Sequence, residues 1–338
     1  MRHAHPSAAA RNRSMTTRFA RLLCTMLCWV QAMLPGMAAS LEPATMVRDF
    51  HNLYSPFRFD DYLWMGGWLK APERVPWPDR IFQSRLNSKG EWTYPEPIRW
   101  VASQSRYPRG QIPGFHINDP VVLQDPENAR WVMLYTAFPN DAIDSTACDP
   151  SVNPTDCLDV KRHAVGWMFS YDDGDTWEDQ GILLRSPTGV WSPGAVIRGS
   201  ELWVYYMDAT LPVEDSALWR QRVSLLGMAP IGPPDRLMHP GKGMSNPDLY
   251  DADGRLYLAA NRLRASQVVV YESDDGIVFR EPACWRNPIL DLRGTRLDGP
   301  HIVSVRPIAL LTGFNKGAGS ERVVHHRVSD DRRRCDPD

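Results

Sequence analysis

A strand that opens on a small residue and a proline recurs along this chain, and no other feature restricts its fold as much. The openings are Tyr54-Ser55-Pro56, Asn118-Asp119-Pro120, Trp191-Ser192-Pro193, Asn246-Pro247-Asp248 and Asp298-Gly299-Pro300. The prolines are separated by 64, 73, 54 and 53 residues. The fullest copy, Ile117 to Phe138, has a polar entry, an apolar run, a polar turn from Gln124 to Arg130, and an aromatic-rich run from Trp131. Two such runs joined by a polar turn read as a β-hairpin. Each copy continues into a third strand and sometimes a fourth. The 73-residue interval holds an insertion, Pro139 to Lys161. A repeat near 50–60 residues with about four strands is what a propeller blade requires, because one blade cannot bury both faces and a closed ring can. The expected fold is all-β, a five-bladed β-propeller forming one domain over residues 41–338.

A second repeated mark agrees. Ser170 to Trp177, SYDDGDTW, fits the pattern S-x-D-x-G-x-T-W in full. This is the Asp-box turn found between the outer strands of propeller blades. Its carboxylates bond backbone amides, its glycine permits positive φ, and its tryptophan packs beneath. Ser273 to Phe279 is a partial copy, Ser84 to Trp92 a weaker one, and Ser329-Asp330-Asp331 a remnant. Asp172, Asp173 and Asp175 are therefore read as turn residues without a catalytic role.

The N-terminus reads as a targeting segment. Two positive charges follow Met15, then an apolar run from Leu22 to Leu34, then the small residues of Gly36 to Ser40. That order describes a cleaved secretory signal peptide over residues 1–40, with Met15 as a second candidate start. The apolar run is short for a membrane span of about 20 residues, and no later segment would span a bilayer. The mature chain is expected to be secreted or periplasmic. Four cysteines follow the signal: Cys148, Cys157, Cys284 and Cys335. An even number in an exported chain suggests disulfides, and three connectivities are open. Cys148 with Cys157 would staple the insertion, and Cys284 with Cys335 would tie down the tail. Lys and Arg number 38 against 40 Asp and Glu, with no basic stripe, so nucleic acid is not an expected partner.

The blade openings and the turn resemble the five-bladed propellers of the glycoside hydrolase family 43 and family 32 superfamily, over roughly residues 50–330. The resemblance implies a carbohydrate substrate in an axial cleft, approached by carboxylates from the first three blades, with a third-blade Glu as general acid. Glycoside cleavage needs two opposed carboxyl groups, one to protonate the leaving oxygen and one to serve water or attack carbon. Asp119 matches the second-blade carboxylate. The first blade has Ser55 at this place and the third has Ser192. Asp60, Asp61 and Glu201 fall later, toward hairpin turns. The general acid is therefore not assigned by the resemblance.

Asp248 and Asp298 are the further candidates, so the catalytic set is Asp119, Asp248 and Asp298. Each can equally be a strand cap that accepts backbone hydrogens. The candidate substrate-binding residues are His116, Asn118, Trp191, Asn246, Arg262, Arg58 and His301. Trp191 and His116 would meet a sugar ring, and the arginines would pair with a substrate carboxylate. His301 would hold a central water or cation or be a satisfied core histidine; no other cofactor is expected. Trp64, Trp68, Trp131 and Trp203 belong to second strands and to the core. Phosphate loops, GxSxG elbows, HExxH and paired CxxC motifs are absent. Two functions remain open: an exported glycoside hydrolase-like enzyme, and a non-catalytic propeller that binds a glycan or a protein.

Overall fold

The computed structural model describes residues 45–46, 53–67, 80–101, 116–138, 160–210, 215–237, 243–262, 266–283, 285–291, 296–305, 308–315 and 322–327. The expected signal segment and the four remaining cysteines lie outside these residues.

The strands form five sheets, one for each expected blade, antiparallel but for one pairing. Blade 1 holds β2 (Leu53–Phe59), β3 (Tyr62–Gly67), β4 (Arg80–Arg85) and β5 (Glu96–Pro97). Blade 2 holds β7 (His116–Asp125), β8 (Arg130–Phe138), β9 (Ala164–Ser170) and β10 (Trp177–Arg185). A fifth strand, β6 (Trp100–Val101), runs parallel along β10. Blade 3 holds β11 (Val190–Arg198), β12 (Glu201–Asp208), β13 (Leu218–Ser224) and β14 (Ala229–Arg236). Blade 4 holds β15 (Met244–Ala252), β16 (Arg255–Arg262), β17 (Gln267–Ser273) and β18 (Leu290–Asp291). Blade 5 holds β19 (Arg296–Val305), β20 (Ile308–Asn315) and β21 (Arg322–Arg327), completed by β1 (Thr45–Met46) from the other end of the chain. The first strand of each blade touches the first strand of the next, and β19 returns to β2, so the ring closes.

Two segments depart from the sequence reading. The stretch Pro95 to Trp100 divides between blades: Glu96–Pro97 stays with blade 1, while Trp100–Val101 crosses to blade 2. The lead-in before residue 48 supplies the outermost strand of blade 5, with Thr45 opposite His325 and Met46 opposite Val324. Two residues carry too little periodicity to announce a strand; the open edge of β21 creates the need for one.

The repeated prolines explain the shape of the inner strands. In all five, the ladder skips the dipeptide that ends in proline: register passes from Tyr54 to Phe57, Asn118 to Val121, Trp191 to Gly194, Ser245 to Asp248 and Asp298 to His301. Proline has no N–H for the ladder, so the strand bulges around it. The residue before each proline is left-handed: Ser55 (φ 46°), Asp119 (50°), Ser192 (48°), Asn246 (51°) and Gly299 (55°). Small polar residues and glycine are the types that tolerate this conformation.

Second strands carry the core. Residues 131–137 of β8 are all buried, as is expected where a strand is covered on both faces. Trp64 is 0% exposed and Trp131 6%; Trp203 is partly buried, and Trp68 lies outside the described residues. Trp64 stacks on Tyr62 at 5.2 Å and meets Trp131 edge-on at 5.7 Å, joining blades 1 and 2. Such pairs add about 0.5–1.5 kcal/mol to their area burial.

Candidate functional site

The five bulges gather at the axis. The cavity between them has a volume of about 30 Å³, room for roughly one water, and Ser55, Asp119, Ser192, Asn246, Asp248 and Gly299 line it between the prolines. Gly299 is required there: a Cβ would lie 2.5 Å from Ser55 Cα.

The polar side chains bond across every seam of the ring. Ser55 Oγ donates to Asp119 Oδ1 at 2.5 Å, and Asn118 Nδ2 donates to the Tyr54 hydroxyl at 3.2 Å, joining blades 1 and 2. Ser192 Oγ donates to Asp119 Oδ2 at 3.0 Å, and Ser192 N–H to Thr136 Oγ1 at 2.9 Å, joining blades 2 and 3. Thr136 itself donates to Asp119 Oδ2 at 2.9 Å. Ser192 Oγ also lies 3.2 Å from Asn246 Oδ1, across to blade 4. Asp248 takes His301 Nδ1 at 3.2 Å and the Ile302 N–H at 2.8 Å, joining blades 4 and 5. His301 Nε2 donates to the Arg58 carbonyl at 2.9 Å and closes the circle.

This belt fixes what the axial residues can do. Asp119 accepts hydroxyl hydrogens from Ser55, Thr136 and Ser192, one residue from each of the first three blades. Asp248 is 4% exposed, accepts the Ile302 amide and lies 3.2 Å from a ring nitrogen of His301. His301 lies between a carbonyl and a carboxylate, both acceptors, and its ring rests 4.3 Å from that of Phe57. Both nitrogens thus face protein acceptors and neither offers a lone pair outward. A cation bound at this histidine does not fit those bonds.

The other candidates are dispersed. Trp191 is half-buried beside Ser192, stacked on His163 at 4.6 Å and 25°. Its indole N–H has no hydrogen-bond partner among the described residues. Asn246 belongs to the belt. Arg262 ends β16 and bonds Gln267 at 3.2 Å. Arg58 is carried away from the bulges: its exposed side chain lies over Trp92 at 5.6 Å, near the turn at Asp60. Asp298, His116 and Arg296 are placed by backbone only; their side chains lie outside the described residues. Glu201 opens β12 just after the hairpin turn, bonded to Arg222 and Trp203, which hold its carboxyl down at about 2.

Sequence reasoning missed the donors. Ser55 and Ser192 share the register of Asp119 within the repeat, a signal that was present but read as missing carboxylates. Thr136 had no signal; its place follows from pairing with Asn118 across β7 and β8.

No protein-family model matches the chain, and neither does any curated protein sequence. Solved structures do. A thermostable family-43 glycoside hydrolase matches with a TM-score of 0.59 at 13% identity, over 86% of this chain and 92% of that one. An endo-arabinase from Bacteroides thetaiotaomicron matches at 0.53 and 14%, over 85% and 98%. A family-43 β-1,3-galactosidase solved with galactodeoxynojirimycin matches at 0.55 and 9%, over 82% and 91%. The chain therefore has the five-bladed β-propeller fold of the family-43 glycoside hydrolases.

Proposed function

We propose that this chain is an exported carbohydrate-binding propeller that recognises a glycan at its axial mouth and does not cleave it. The observation that carries this reading is the triple acceptance at Asp119. Hydrolysis requires one carboxyl to deliver a proton to the leaving oxygen. A carboxylate that receives three hydroxyl hydrogens is held as an acceptor, and protonating it would weaken the bonds that tie Ser55 and Ser192 to it. Asp248 is spent in the same way, and Ser192 stands on the third blade where the resemblance implies an acid. The fold shared with family-43 structures and the half-buried Trp191 beside Ser192 support carbohydrate as the ligand. The charged, apolar and small-residue order of residues 15–40 supports export.

The test is a glycan panel read twice, by binding and by released reducing sugar. Binding without release is expected, with Trp191→Ala weakening it while the thermal midpoint holds. Sugar release that disappears in Asp119→Asn, with the fold retained by circular dichroism, would establish a hydrolase instead. Failure to bind any glycan would remove the carbohydrate assignment.

A further inference from the structure

Trp191 and Arg262 share one seam at the mouth end of the ring. Met207 and Leu218 of blade 3 and Met244, Leu258 and Val269 of blade 4 form one buried cluster between those blades. Trp191 stands opposite Met207 and packs against this cluster. Arg262 stands opposite Met244, two positions before the belt residue Asn246. Opposite residues of an antiparallel pair share a face, so the indole and the guanidinium flank the same seam, one from each blade. His163 lies against the Trp191 ring at 4.6 Å and braces it from blade 2.

Arg262 departs from a pattern that other arginines follow. Arg130, Arg198, Arg220, Arg222 and Arg255 are buried or half-buried, and each is paired with an aspartate or a glutamate. Arg262 is half-buried as well, but it bonds the neutral Gln267 at 3.2 Å, and no carboxylate pairs with it among the described residues. The Gln267 amide nitrogen donates to Asp291 at 3.0 Å, so the glutamine stands between the guanidinium and that carboxylate. Burial raises the Tyr271 hydroxyl, and the Arg262 charge beside it works against that rise. A guanidinium drawn partly out of water without a counter-charge is unfavourable, and an anion that reaches it removes the penalty.

We propose that the glycan taken at the axial mouth is acidic, a uronate whose carboxylate is bound by Arg262 while a sugar ring meets Trp191. The guanidinium is a planar fork that matches a carboxylate with two parallel bonds, and an indole offers apolar area to a sugar face. A neutral chain offers this arginine no counter-charge. The proposal rests on the reading of the mouth as a glycan site and adds the charge of the sugar to it.

Calorimetric titration of the full chain at low salt tests this with two oligosaccharides, one of galacturonic and one of glucuronic acid, each as free acid and as methyl ester. One free acid or both is expected to bind, with its ester about tenfold or more weaker. This comparison needs no variant. Arg262→Gln is expected to bring the free acid down to the level of its ester, whereas Arg236→Gln, at an exposed arginine of blade 3, keeps the difference. The proposal is overturned if neither acid binds, if the esters bind as well as the acids, or if Arg262→Gln keeps the difference. Neutral oligosaccharides that bind where both acids fail overturn the charge and leave the glycan reading standing. Binding of no oligosaccharide, neutral or acidic, removes both.

Discussion

Asp119 shows how one residue serves both backbone and assembly. Its left-handed φ of 50° belongs to the bulge that skips Asp119 and Pro120, and its carboxylate meets hydroxyls from blades 1 and 3 as well as its own. Removing it leaves three hydroxyls without their acceptor, at a cost of about 1–3 kcal/mol for each buried group fully stripped. Asp119→Ala is therefore expected to lower stability by about 2–4 kcal/mol in urea unfolding, discounted because the site is half-buried. Asp119→Asn should cost less, about 1 kcal/mol, since it keeps an acceptor and tolerates the backbone. Equal losses from the two would mean that the belt contributes little.

Among elements, the outer turns do more than reverse the chain. In the turn after β9, Ser170 Oγ accepts the Gly174 N–H at 2.9 Å, and Asp172 accepts from Thr176 N–H and hydroxyl at 2.8 and 2.6 Å. The turn after β17 repeats this one residue shorter: Ser273 accepts the Gly276 N–H, and Asp275 takes the amides of Ile277 and Val278. Both turns dock on the preceding blade. Arg85 reaches Asp175 from blade 1, and in blade 3 Arg220 and the Tyr205 hydroxyl donate to the Asp275 and Gly276 carbonyls. Gly276 (φ 71°) has no room for a side chain, since a Cβ would lie 2.5 Å from both Trp203 and the Tyr205 hydroxyl. Gly276→Ala combines a positive φ with this overlap and is expected to cost about 2 kcal/mol or more, read as a fall in the thermal midpoint. An unchanged midpoint would show that the docking is dispensable.

The whole ring depends on a closing blade made from both ends of the chain. In that blade His326 is 1% exposed and bonds Thr312 at 2.9 Å. Burial, and then the neighbouring His325, push its folded-state value down to about 4 from 6.5. The folded state then binds fewer protons than the unfolded chain below pH 6.5. The stability contributed by the neutral ring is complete above that pH and is lost as pH falls from 6.5 through about 4, by an amount on the order of 3 kcal/mol. The lowered carboxyls of Asp125, Asp172 and Asp275 add losses of the same sign below their ordinary 3.8. Urea midpoints between pH 7 and 4.5 should fall more steeply in the parent than in His326→Gln. Parallel curves would exclude His326 as the source.

How much of this was legible in the sequence follows from the range of each interaction. Five blades, their inner strands and the turn at Ser170 rest on local chemistry: proline without an N–H, glycine at positive φ, and alternation along a strand. These act within a few residues and leave a mark at each repeat. The closing strand Thr45–Met46, the transfer of Trp100–Val101 to blade 2 and the partnership of Thr136 with Asp119 join residues far apart in the chain, and no local pattern records them. The sequence by itself determined that an axial ring of small polar residues would form. Only the tertiary structure decided that its carboxylates face hydroxyls, an amide and a histidine across the seams, because hydrogen-bond partners are chosen by the closure of the ring.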